Sequence, residues 1–149
     1  MNDLLRRRLA RSTVLYLDLL DTVPPELLGS HLADLPSDTI GHQLWCVLGA
    51  RESYPRAAAA GAWQGFTSPV TAEQTTDASA LRAAFEQTAR DLDAWVAGID
   101  AADEASLTYA LSLLEHETQH QGQLIRYLYG LRIDRPHTWQ QQYALDEDF

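Results

Sequence analysis

The chain has little of what several protein classes require. Its single cysteine, Cys46, excludes an internal disulfide and fits a reducing, cytoplasmic compartment. Basic residues are few: eleven Lys and Arg stand against twenty-one Asp and Glu, for a formal net charge of -10. Nucleic-acid binding draws on clustered cations, so no nucleic-acid partner is expected. The one obvious basic cluster, Arg6-Arg7-Arg8, reads as a solvated face of the first helix. No apolar run approaches the roughly 20 residues that a membrane span needs. The N-terminal stretch is interrupted by Asp18 and Asp21, and no small-residue cleavage site follows it. A soluble protein with no membrane partner is the expectation. Strand-type alternation is missing as well.

What is present is helical periodicity over a length, 149 residues, that suits one domain. The spacing predicts a helix over residues 3–20, with Leu5, Leu9, Val14, Leu17 and Leu20 near one side. Pro24-Pro25 ends it, and Pro25 can open a short helical turn. A second helix is predicted from a cap at Ser37 or Asp38 to a stop at Gly61. It is apolar nearly all round between Ile40 and Ala50, and Pro55 should kink it or end its regular part. The connection "GAWQGFTSPVTAEQTTD" carries Trp63 and Phe66, read as anchors that pin it down. A third helix runs from Asp77 to about residue 97, with Leu81, Phe85, Thr88, Leu92 and Trp95 at helical steps. A fourth covers about 106–129 and closes at Gly130. In the tail, Trp139 and Tyr143 should pack back on the body, and the last residues, "DEDF", should fray. The expected fold is all-α, an antiparallel four-helix bundle. The long loop between helices two and three leaves room for a non-sequential order.

The fourth helix raises the functional question. In "LLEHETQHQGQLIRYLYGL", Leu113, His116, His120, Leu124, Tyr127 and Leu131 return to one face. Burying two imidazoles costs desolvation twice unless each is satisfied. Two histidines four residues apart on a helix can instead bind one metal ion together. At least one more protein ligand is then required. The second helix offers His42 and, one turn later, Cys46. His31 and His137 read as surface or packing residues.

"HETQH" also matches the H-E-x-x-H zinc-protease pattern, with Glu117 as the would-be catalytic base. The expected continuation is missing, because "QGQLIRY" follows His120. Glu117 is also one residue off the direction shared by the two histidines.

The segments "IGHQLWCVLGARESY" and "LLEHETQHQGQLIRYLYGL" resemble the DinB-like (damage-inducible, YfiT-type) superfamily of metal-binding four-helix bundles, and the order of elements matches over nearly the whole chain. The resemblance implies a divalent metal, typically zinc or nickel. One histidine of the second helix and two of the last would hold it. His116 and His120 match the last-helix pair. His42 is the favoured partner on helix two, with Cys46 as a fourth ligand or a substitute. The family resemblance further implies a thiol-dependent transferase that uses a low-molecular-weight thiol on small electrophilic substrates. Glu117, Gln119 and Gln123 could orient histidines or substrate. A metal-dependent hydrolase in the same pocket and a non-catalytic, metal-stabilised binding or dimerisation module remain alternatives. A small-molecule substrate and a homodimer are the expected partners.

Overall fold

The computed structural model describes residues 1–145. Among them are five α-helices and no strand: α1 (Asn2–Thr22), α2 (Ile40–Ala60), α3 (Ala78–Ala97), α4 (Glu104–Gly130) and the short α5 (His137–Tyr143). The all-α expectation holds. The expected fraying of "DEDF" concerns residues 146–149, outside those described. No helix among the described residues is long and apolar enough to cross a membrane.

Short polar side chains set the helix starts. Thr39 accepts the backbone N–H of His42, so it caps α2. That corrects the expected cap by one residue. Asp38 instead accepts the N–H of Thr39 and faces the His42 ring. Asp77 and Asp103 cap α3 and α4 in the same way. Gly61 ends α2 in the left-handed conformation, φ 69. Pro55 does not end α2, which runs on to Ala60.

The long helices pair in opposite directions. Arg6 near the start of α1 meets Asp93 near the end of α3, and Arg82 near the start of α3 meets Asp21 at the end of α1. Along α2 and α4 the contacts run in reverse order, from Gln43 with His120 to Tyr54 with Tyr109. Yet α2 and α3 begin at the same end. A Cβ on Gly41 would lie 2.0 Å from the Thr75 carbonyl oxygen. Only glycine therefore lets the chain just before α3 lie this close to the start of α2. The connection after Gly61 thus returns along the length of α2, and the order is non-sequential. Phe66 anchors it, with its ring over Gly49 and 4.7 Å from Trp45. Val70 adds a carbonyl that accepts the Trp45 indole N–H at 3.1 Å.

The α1 stripe is rotated from its expected position. Leu5, Leu9, Ser12, Tyr16, Leu19 and Leu20 are buried, while Val14 is 46% exposed. Leucine spacing by itself misplaced the face because Ser12, a polar residue, is part of it.

The buried apolar residues fall into two clusters. One holds Tyr16, Leu44, Phe85, Leu124 and Trp139; the other holds Leu9, Leu92, Val96 and Leu113. Ser12 on α1, Thr88 on α3, and Glu117 and Gln121 on α4 lie in sequence between the two, and Arg51, one residue past Ala50 on α2, reaches Glu117 among them; all are buried. The core is therefore two apolar halves with a polar layer between them.

Candidate metal centre

Cys46, His116 and His120 stand together on the facing sides of α2 and α4. One ligand atom from each lies within 4.8 Å of the others, so the three could hold a metal ion. All three residues are half-buried. The spacing of four residues on α4 does what periodicity predicts: the imidazoles sit one turn apart with ring centroids at 4.6 Å. Cys46 Sγ lies 3.6 Å from His116 Nε2. With Zn–S near 2.3 Å and Zn–N near 2.0–2.1 Å, two ligands of one tetrahedral ion sit about 3.6 Å apart.

The protein's own hydrogen bonds satisfy this donor set only in part. On His120, Nδ1 pairs with Gln43 Oε1, which fixes the proton there and leaves Nε2 as a lone pair. On His116, Nδ1 is buried without a hydrogen-bond partner among the described residues, and Nε2 faces only the thiol. The thiol proton can bridge to Nε2, the atom that would ligate an ion, and Nδ1 is unpaired in either case. Burial holds His116 below the usual imidazole range. Burial and the neighbouring His116 push His120 down to about 4. Both rings are therefore neutral at pH 7, the form that ligates. Burial, with Asp38 nearby, raises the Cys46 thiol, so the thiolate form needs a cation beside it. The donor set fits a borderline-soft divalent ion.

His42, the favoured helix-two ligand, lies outside this group. Its Nδ1 is 2.9 Å from Asp38 Oδ1, and its side chain is 45% exposed. The cap explains this: the first turn of α2 turns His42 toward Asp38, and Cys46, one turn on, faces α4. Glu117 occupies a different environment from that of a catalytic base. It is 0% exposed, with Oε1 accepting from Arg51 Nε at 2.7 Å and Oε2 from Arg51 Nη2 at 2.9 Å and from the Ser12 hydroxyl. Gln123 is exposed and lines a cavity of about 220 Å³ with Asp38, Gln43, Arg126 and Tyr127. That cavity adjoins the three-residue group through Gln43. Gln119 is exposed. A larger cavity, about 430 Å³, lies between α1 and α3 and contains none of these residues. Gln43 and Tyr54 are the site neighbours that sequence reasoning missed. Tyr54 places its ring 6.2 Å from that of His116 and 5.9 Å from Trp63. Gln43 follows His42, and nothing in its local sequence marks it as a partner of His120.

Compared with family models, curated proteins and solved structures, the chain finds no significant match.

Proposed function

We propose that this chain is a divalent-metal protein of the DinB-like, antiparallel four-helix-bundle type, and that Cys46, His116 and His120 hold the ion. The observation that carries the reading is the meeting of one thiol and two neutral imidazoles from two helices within 4.8 Å. Cys46 takes the place first favoured for His42, because His42 is turned to Asp38. Zinc or nickel is the ion the family resemblance implies, and zinc takes both thiolate and imidazole donors.

A three-ligand centre leaves a position for chemistry. A divalent ion there supplies Lewis acidity, making a thiol or a water acidic enough to ionise at neutral pH. The residues around it do the rest. Gln43 holds the His120 ring in one tautomer. Tyr54, with Trp63 beside it, gives the centre an apolar flank. The cavity beyond Gln43 gives a small substrate room, with Arg126 at its wall. The reaction class this arrangement suits is transfer of a low-molecular-weight thiol to a small electrophile; hydrolysis uses the same groups with water in place of the thiol.

The test is elemental analysis of the purified protein beside a His116→Ala/His120→Ala variant. About one equivalent of metal in the first and none in the second supports the reading, and equal content in both refutes it. Activity on electrophiles with and without an added thiol then separates transfer from hydrolysis. Removing the Gln43 amide has its own expected result. Gln43→Ala frees the His120 ring and lowers metal affinity about 10–100-fold, as read by competition with a chelator of known affinity. An unchanged affinity excludes an orienting role for Gln43.

A further inference from the structure

Glu117 is held from two other helices. Arg51 of α2 forks onto its carboxylate at 2.7 and 2.9 Å, and the Ser12 hydroxyl of α1 donates to the same group. The Tyr16 hydroxyl, also of α1, donates to the Glu117 backbone carbonyl at 2.8 Å. Gln121, one turn on, donates to Ser12 Oγ at 2.6 Å and accepts from the Tyr143 hydroxyl of α5. The two α4 residues in this polar layer are the sequence neighbours of His116 and His120. On α2, Arg51 lies five residues beyond Cys46. The layer and the thiol-imidazole group therefore share the α2–α4 contact, on adjacent faces of α4.

A buried ion pair is a poor way to gain stability, since apolar residues of similar size do as well or better. What it supplies is register. Apolar side chains tolerate sliding of one helix along another, whereas a bidentate fork does not. The pair also carries an unmet cost: Arg51 Nη1 has no hydrogen-bond partner among the described residues, and its guanidinium lies over the Phe85 ring at 4.9 Å. Resting on the metal reading above, we infer that Arg51 and Glu117 are positioning residues for the metal centre. They lock α2 against α4 so that Cys46 and His116 keep the separation one ion requires, and Tyr16 pins the α4 backbone at the same point.

The experiment is titration of metal-free protein with Co²⁺, reading visible and thiolate charge-transfer absorption at a temperature where every variant is folded. The principal variant is Arg51→Met/Glu117→Leu, which replaces the pair with apolar groups of similar volume. The expected result is a folded protein that binds Co²⁺ about 10–100-fold more weakly, with an altered absorption spectrum. A folded double variant with wild-type affinity and spectrum overturns the inference. Should that variant fail to fold, Tyr16→Phe decides. It keeps the ion pair, loses one hydrogen bond at Glu117, and is expected to shift the Co²⁺ spectrum. An unchanged spectrum and affinity there overturn the inference equally. If wild-type protein takes up no Co²⁺, the metal centre itself is refuted. If wild type and variants bind alike, the centre stands and only the positioning role falls.

Discussion

Glu117→Ala lowers the free energy of unfolding by about 3–5 kcal/mol, the usual cost of stranding one member of a buried ion pair. Arg51 and Glu117 both have side chains 0% exposed, so neither charge has recourse to water. With the carboxylate gone, the guanidinium keeps its positive charge, loses both its hydrogen bonds to oxygen, and retains only the faces of Phe85 and Tyr16. The Ser12 hydroxyl loses its acceptor in the same step. Urea unfolding reads the effect as a lower midpoint at nearly constant slope. Arg51→Met/Glu117→Leu is the control: with no charge left to strand, its stability stays near that of wild type or above it. A loss under about 1 kcal/mol for Glu117→Ala would mean that water reaches Arg51.

Trp139→Ala is the second large effect, also about 3–5 kcal/mol. The tail residue Trp139 is 0% exposed and its indole N–H donates to the Leu15 carbonyl at 2.7 Å. Its ring meets Tyr16 edge-on at 6.5 Å and Tyr143 at 6.0 Å. Truncation opens a cavity at the heart of the larger apolar cluster and removes the main anchor of α5. Two readouts follow. Thermal unfolding moves down by roughly 10 °C or more, and limited proteolysis cuts at residues 132–145 before the rest of the chain. A variant that loses stability without early cleavage there would show α5 held by its polar contacts, Thr138 with Asp18 and Gln142 with Arg11.

Much of the architecture was legible in the chain. Asp77 and Gly61 mark helix ends because capping is local chemistry, settled within a few residues; Asp103, which caps α4, starts that helix two residues before the expected 106. Leu81, Phe85 and Leu92 identify the buried face of α3 because that face is apolar but for Thr88. The pair His116 and His120 was legible for a related reason: a spacing of four residues survives any packing of the helix. Where polar residues enter the interior, the pattern fails. On α4 the innermost line runs through Leu113, Glu117, Gln121 and Leu124, and the histidines flank it. Periodicity put Glu117 one residue off the inward direction and gave the histidines that place.

The choice between His42 and Cys46 lay beyond any reading of α2 alone. Both sit on the same helix one turn apart, and no local rule separates them. What separates them is non-local. Asp38 draws the His42 ring back to the helix start, and the register of α4 brings His116 to within 3.6 Å of Cys46. The glutamate that reads as a catalytic base becomes a helix clamp for the same reason: its partner, Arg51, is 66 residues away in the chain. Local residue types thus prescribed which segments coil, where they stop and which two imidazoles stack. Folding in three dimensions brought Cys46 rather than His42 beside the two imidazoles and set the buried charge pair, because a charge can enter a core only where a distant partner meets it.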